Sequence, residues 1–197
     1  RLLQGDVGSG KTAIAILALT KIVENGYQGA LMAPTEVLAA QHFKTFQQVF
    51  KGMPVKTAYL SGHTKAAERK EILEQLKDGS IHILIGTHAL IEENVVFSAL
   101  GLVITDEQHR FGVKQRAALQ AKGCMPHTLF MTATPIPRTL NMAFSGMRDL
   151  SIIATPPARR LAVKTFVQEH TAESVKEAIL RELLRVGQVY FLHNEVE

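Results

Sequence analysis

Gly5, Asp6, Val7, Gly8, Ser9, Gly10, Lys11 and Thr12 follow one another as glycine, four residues, glycine, lysine and threonine, the spacing of a Walker A phosphate-binding loop. Glycines allow a backbone path that turns N–H groups inward at phosphate oxygens, and the positive end of a following helix adds to the attraction. In such a loop Lys11 reaches the β- and γ-phosphates and the Thr12 hydroxyl holds Mg2+. The expected ligand is a nucleoside triphosphate carrying Mg2+. By chance alone these residues would make only a glycine-rich turn; a strand before them and a helix after them are what the chemistry requires.

A second group of chemical residues lies about a hundred positions on. Leu102, Val103, Ile104 and Thr105 lead directly into Asp106, Glu107, Gln108 and His109. Ligands of open parallel sheets bind beyond the carboxyl ends of the strands, so this run brings two carboxylates to the side of the phosphate loop. Asp106 is expected to bind Mg2+ directly or through water, and Glu107 to orient and deprotonate an attacking water. Gln108 is a neutral donor suited to a γ-phosphate. His109 suits a hydrogen-bonding relay between the nucleotide and other sites. Taken alone, a carboxylate pair at a strand end is often a solvated turn, and a lone histidine there a plain polar residue.

The elements that must position these groups are legible in the pattern of apolar residues. Short β-branched runs alternate with longer segments of helical period, which predicts an α/β fold with a parallel sheet covered by helices on both faces. Strands are predicted at Leu2–Gln4, Gly29–Ala33, Val55–Leu60, Ile81–Ile85, Leu102–Thr105, Thr128–Met131 and Ser151–Ala154. Helices are predicted at Lys11–Glu24, Glu36–Phe50, Lys65–Lys77, Lys114–Gln120, Arg138–Phe144 and Ala172–Arg185. Gly26, Gly52, Gly79 and Gly187 fall just past four of these helices, where a left-handed cap suits glycine. The run Thr155, Pro156, Pro157, Ala158, Arg159, Arg160 reads as a linker, which gives domains at 1–157 and 158–197. Beyond it Val163–Val167, a helix led by Thr171, and Gln188–Leu192 read as the opening β-α-β of a second α/β domain.

Composition bounds the function classes. The 197 residues, 46% hydrophobic and 20% charged, match an ordinary globular protein and exclude a disordered one. No apolar run approaches the roughly 18 residues that span a bilayer, so no membrane partner is expected. The single Cys124 excludes an internal disulfide and a zinc cluster, fits a reducing cytoplasm, and reads as a small apolar side chain. A net charge of +4 gives weak support for a polyanionic partner. The chain starts at Arg1 without Met and ends in a barely begun strand, as expected of a piece of a larger protein.

Asp106 to His109 resembles the acidic box of superfamily 2 helicases. Thr132, Ala133, Thr134 and Pro135 resemble the Ser/Thr-Ala-Thr motif that links hydrolysis to nucleic-acid binding in that superfamily. Ala33, Pro34, Thr35 and Glu36 resemble motif Ia, and Gly86, Thr87 and His88 a later strand-contacting motif. At both places backbone N–H and hydroxyl groups could meet a phosphate backbone. On the residues alone, Thr35 is also a helix cap, Gly86 an ordinary turn, and Thr132 with Thr134 a strand-end hydroxyl pair.

Over nearly its whole length the chain resembles the superfamily 2 translocases of the RecG and transcription-repair coupling factor (Mfd) group. Residues 1–138 are more similar to RecG, whereas Leu140–Val167, with Gly146 to Asp149 and Pro156 to Arg160, are more similar to the coupling factor. The resemblance implies ATP and Mg2+ as cofactors and two RecA-like lobes, the second only begun here. It implies an ATP hydrolase moving on double-stranded or branched DNA in repair, recombination, branch migration or transcription-coupled repair, with RNA polymerase as a further partner of a coupling-factor-like chain. It also puts adenine recognition upstream of Arg1 and arginine fingers downstream of Glu197. The segment by itself is therefore expected to bind Mg·ATP weakly and hydrolyse it poorly, lacking the clamp on transition-state charge. Arg110, Lys114, Arg116, Arg138, Arg148, Arg159 and Arg160 are candidates for a DNA track, although singly each is as well read as a solvated charge. A P-loop kinase or metabolic NTPase, and a non-hydrolysing nucleotide-gated scaffold, are the competing readings. The Thr132 to Pro135 motif argues against the first and Glu107 against the second.

Overall fold

The computed structural model describes residues 1–107, 111–134, 149–155, 164–167 and 169–192. Gln108, His109, Arg110, Pro135, Arg138, Arg148, Arg159, Arg160 and the helix expected over 138–144 lie outside the described residues. Two compact units divide the chain, Arg1–Arg159 and Arg160–Glu197.

In the first unit seven strands form one sheet in the order β3-β4-β2-β5-β6-β1-β7, every pairing parallel. They are β1 (Leu2–Gly5), β2 (Gln28–Met32), β3 (Thr57–Leu60), β4 (Ile83–Gly86), β5 (Leu100–Thr105), β6 (His127–Thr132) and β7 (Leu150–Ile153). Between them run α1 (Lys11–Glu24), α2 (Glu36–Val49), α3 (Ala66–Lys77), a short 3-10 turn (His88–Ile91) and α4 (Val113–Gln120). The central strands are apolar at nearly every position because both faces are covered. Alternation sorts their side chains: Ala30, Met32, Leu84 and Val103 join the core containing Ile72 and Leu76 of α3. Leu31, Ile83, Ile85, Leu102 and Ile104 join the opposite core with Ala15 and Leu19 of α1 and Phe46 of α2. The sheet is thus sandwiched between helices, the RecA-like arrangement expected from the sequence.

Two polar features of this core are not visible in the pattern. Gln28, at the start of β2, is 3% exposed. Its amide nitrogen donates to the carbonyls of Leu76 (2.9 Å) and Ile81 (2.7 Å), while its oxygen accepts from the Ala99 N–H (2.9 Å). One side chain thereby satisfies three backbone groups from three segments. Gln28→Ala leaves them buried and unpaired, and is expected to lower the unfolding free energy by about 3 kcal/mol. Urea denaturation measures this as a lowered midpoint at unchanged slope; an unchanged midpoint would show that water replaces the amide.

The second polar feature is His42 in α2. Ala39, His42 and Phe46 form the buried stripe of that helix, so an imidazole occupies a position where helical spacing asks for an apolar side chain.

Gly26, Gly52 and Gly79 have positive φ, as expected of helix caps. After the last helix, α5 (Ala172–Leu184), the left-handed residue is instead Val186 (φ 61). Cys124 is exposed, in the loop between α4 and β6.

In the second unit Thr171 and Ser174 cap α5 reciprocally: the Thr171 hydroxyl accepts the Ser174 N–H (3.2 Å) and the Ser174 hydroxyl accepts the Thr171 N–H (3.3 Å). Here an expectation is corrected. Residues 164–167 and 188–192 are not strands, because an extended segment becomes a strand only through ladder bonds, and the described residues of this unit supply none. On α5, Leu180, Leu183 and Leu184 are 47%, 57% and 86% exposed.

Candidate functional site

All seven strands point the same way, so their carboxyl ends lie along one edge of the sheet. The phosphate loop leaves β1 there, Asp106 and Glu107 leave β5, and Thr132 to Thr134 leave β6, which separates the other two. With neighbouring strands about 4.8 Å apart, the tips of β1 and β5 are on the order of 10 Å from each other. That distance suits groups acting on two sides of a polyphosphate. The structure therefore brings to one edge three motifs spread over 130 residues of sequence.

The loop itself is held by local bonds. The Asp6 carboxylate accepts the Val7 N–H at 2.7 Å, and the Asp6 carbonyl accepts the Ser9 N–H at 3.1 Å. Gly8 (φ 78) and Gly10 (φ 96) adopt left-handed backbone that side-chain-bearing residues resist. Gly10 is the N-cap of α1 and provides no side chain to cover the N–H groups of its first turn. Those groups remain aimed outward with the positive end of the helix dipole. The Lys11 ammonium is half-buried and donates to the carbonyls of Gly5 (2.7 Å) and Asp6 (2.9 Å). Ser9 carries a buried hydroxyl oxygen without a hydrogen-bond partner. Thr12 lies on the first turn of α1, half-buried.

At the β5 tip Asp106 is buried (7% exposed), and its N–H donates to the Met32 carbonyl at 2.9 Å. One carboxylate oxygen accepts the Glu107 N–H (3.0 Å); the other lies 2.7 Å from His42 Nε2. Glu107 is half-buried with φ 50. A left-handed glutamate is uncommon, and such strain gathers where the chain must aim a side chain. His42 escaped the sequence reading. The signal that could have found it was the polar residue in the apolar stripe of α2.

At the β6 tip the hydroxyls of Thr132 and Thr134 are 2.9 Å apart, and the Thr134 N–H donates to the Thr132 hydroxyl at 3.2 Å. Thr132 is buried, Ala133 half-buried and Thr134 exposed. The remaining strand-contact candidates divide by exposure. After β2, Pro34 is half-buried and Thr35 exposed; the Thr35 hydroxyl caps α2 by accepting the Leu38 N–H (3.3 Å) and keeps its own proton for another acceptor. After β4, a Cβ on Gly86 would fall 1.9 Å from the Leu60 carbonyl oxygen, so glycine is required there by the close approach of β3. Thr87 is buried and its N–H is taken by the Leu60 carbonyl (3.3 Å). Of that trio only His88 is exposed. Among the basic residues, Lys114 is exposed, whereas Arg116 is half-buried, bonded to the Phe111 carbonyl (2.9 Å) and placed over the Phe130 ring.

A further pair stands at the same edge. Exposed His63, in the loop after β3, places Nδ1 2.8 Å from Glu36 in the first turn of α2. The hydrogen bond to Glu36, and then its charge, raise the His63 pKa above the ordinary histidine value, and the bond to His63 lowers Glu36. Because His63 is raised, the pair's interaction is fullest below about pH 6.5 and is lost as pH climbs through the folded value. Glu36→Gln is expected to return His63 toward the ordinary value, followed by NMR titration of the imidazole protons. An unmoved titration would assign the shift to another source.

The family model described as DEAD/DEAH box helicase matches residues 1–143. The transcription-repair-coupling factor of Escherichia coli (strain K12) is 54% identical over 197 residues, covering 100% of this chain and 17% of that protein. The ATP-dependent DNA helicase RecG of Bacillus subtilis (strain 168) is 51% identical over 193 residues, covering 98% of this chain and 28% of that protein. The solved structure of RecG bound to a three-way DNA junction superposes with a TM-score of 0.77 at 44% identity, covering 94% of this chain and 25% of that one. The chain thus spans a sixth to somewhat over a quarter of the length of these relatives.

Proposed function

The chain belongs to the DEAD/DEAH box helicase family, and from that premise we propose that it is the nucleotide-binding part of an ATP-driven motor moving on double-stranded or branched DNA. The observation that carries this reading is the convergence of the phosphate loop, the Asp106–Glu107 tip and the Thr132–Thr134 tip on the adjacent strands β1, β6 and β5. A kinase needs the loop and a metal-holding carboxylate but not the Thr132–Thr134 tip, and a nucleotide-gated scaffold does not need Glu107. Residues 1–157 are then a first RecA-like lobe, and 158–197 belong to a second. Similarity to both RecG and the coupling factor supports a role in branch migration or transcription-coupled repair, the latter with RNA polymerase as partner, and a cytoplasmic setting. No described helix is long and apolar enough to cross a membrane.

The residues fit ATP with Mg2+. Residues Gly5 to Thr12 offer outward N–H groups, a lysine and the partnerless Ser9 hydroxyl oxygen, a donor-rich cradle for phosphates. Among the described residues no group of three His, Cys, Asp or Glu side chains gathers to hold a metal alone. Mg2+ is ordinarily bound by one or two protein oxygens together with substrate phosphates, and Thr12 and Asp106 are the oxygens available. A Mg2+ held by these oxygens would supply charge neutralisation on the phosphates. Lys11 would exchange the Gly5 and Asp6 carbonyls for phosphate oxygens, and Glu107 would orient a water and take its proton; Gln108 as a γ-phosphate donor and His109 as a relay complete the proposed set. Exposed Thr35, His88 and Thr134, with Pro34, would form the face offered to a DNA backbone, while Gly86, Thr87, Thr132 and Ala133 hold that face in place; Arg138 is a further candidate contact from the sequence.

The test is the ATP hydrolysis rate of the full-length protein with and without duplex DNA, followed by displacement of streptavidin from a biotinylated duplex. Stimulation by duplex together with displacement is expected. Hydrolysis indifferent to DNA would sink the motor reading and return the choice to the other P-loop classes.

A further inference from the structure

We propose that His42 is a positioning residue for Asp106, and that it ties the DNA-facing start of α2 directly to the metal-holding carboxylate. The proposal rests on the reading of Asp106 given above.

His42 is 5% exposed, within the stripe Ala39, His42, Phe46 that α2 packs against the sheet. An imidazole there sacrifices apolar burial, and its polar atoms must find partners or pay the cost of desolvation. The partner is Asp106, with Nε2 2.7 Å from Oδ2. An ionised carboxylate accepts only, so in this contact Nε2 carries the hydrogen and donates. With Oδ1 accepting the Glu107 N–H at 3.0 Å, both oxygens are restrained, one by a separate helix and one by the chain's next residue. Rotation of the carboxylate is blocked, which fixes the direction of its remaining lone pairs.

The chemistry of the donor matters. A lysine or arginine at this place would neutralise Asp106 and weaken its hold on a cation. An imidazole can orient the carboxylate by one hydrogen bond without carrying a permanent positive charge, the usual work of a group bonded behind a metal ligand.

The same contact has a mechanical side. Seven residues before His42 stands Thr35, the exposed N-cap of α2. The tip of β5 is held twice: the Asp106 N–H donates to the Met32 carbonyl at the end of β2, and the Asp106 side chain meets His42 in α2. A displacement of α2 by a DNA backbone at Thr35 is therefore felt at the Asp106 carboxylate through one rigid helix and one hydrogen bond.

The experiment uses the full-length protein and three substitutions, His42→Gln, His42→Leu and Asp106→Ala, with folding checked by thermal melting. Its first readout is the affinity for Mn2+ in the presence of a non-hydrolysable ATP analogue, measured by electron paramagnetic resonance. The second is the ratio of ATP hydrolysis with and without duplex DNA. His42→Leu, similar in size and without a donor, is expected to weaken Mn2+ about 10- to 100-fold and to reduce the stimulation ratio. His42→Gln, whose amide nitrogen can stand near the position of Nε2, is expected to restore both. If His42→Leu binds Mn2+ within about twofold of the wild type, or if the leucine and glutamine variants behave alike, His42 is only a core residue and the proposal is overturned. Asp106→Ala separates the two readings. Unchanged Mn2+ affinity in that variant would fell the metal assignment itself, whereas lost affinity there with a normal His42→Leu would fell only the role of His42.

Discussion

Lys11→Ala in the full-length protein is expected to cut ATP hydrolysis on the order of a hundredfold or more while leaving the fold as stable as before. The lysine's bonds in the structure go to the carbonyls of Gly5 and Asp6, both within the loop itself, so no distant element depends on it. A cation on the first turn of a helix is also opposed by the dipole, at a cost of about 0.3–1 kcal/mol. Its removal should hold or slightly raise the melting temperature. Loss of activity with a kept or raised melting point identifies a group retained for its ligand rather than for stability. Steady-state hydrolysis and thermal melting, on the same sample, measure the two arms. A variant that melts early would instead make Lys11 a structural clasp of the loop.

Glu107→Gln tests the other side of the site. A general base contributes roughly 10²- to 10⁴-fold to a rate, so hydrolysis is expected to fall by that order with nucleotide affinity retained. Glutamine keeps the size and hydrogen-bonding reach of the side chain and loses only its ability to take a proton. Equilibrium binding of a fluorescent ATP analogue and single-turnover hydrolysis separate the two quantities. Retained turnover would remove Glu107 from the chemistry. The left-handed backbone at this residue (φ 50) adds a control, because Glu107→Gly relieves the strain and should raise stability while abolishing the base.

Much of this arrangement was legible because it is written locally. The limits of α1 follow from Gly10 ahead of it and Asn25–Gly26 behind it, and the apolar runs of β4 and β5 could be little else than buried strands. The phosphate loop and the acidic tip are contiguous motifs, so their chemistry is readable without a fold. Gln28 and His42 show what such reading misses. Each is an ordinary polar residue in its own segment, and its meaning lies in partners 48 to 71 positions away for Gln28 and 64 for His42. Thr87 shows the reverse case, a hydroxyl residue in a promising motif that the fold buries, its N–H taken by the Leu60 carbonyl. The apolar side of α5 has helical period, yet Leu180, Leu183 and Leu184 are exposed, which no periodicity can foretell.

The order of the strands also bears on when the loop comes into being. β1 precedes the other described strands, yet its partners in the sheet are β6 and β7: Leu2 lies opposite Phe130 and Leu150. Closing a loop of that length costs on the order of 4 kcal/mol in chain entropy before the pairing returns anything, and distant parallel pairing is slow. β2, β4 and β5 pair over shorter separations, and β3 with them. The phosphate-binding loop is therefore expected to take its shape late in folding, and nucleotide binding to report that the sheet is complete through β6 and β7.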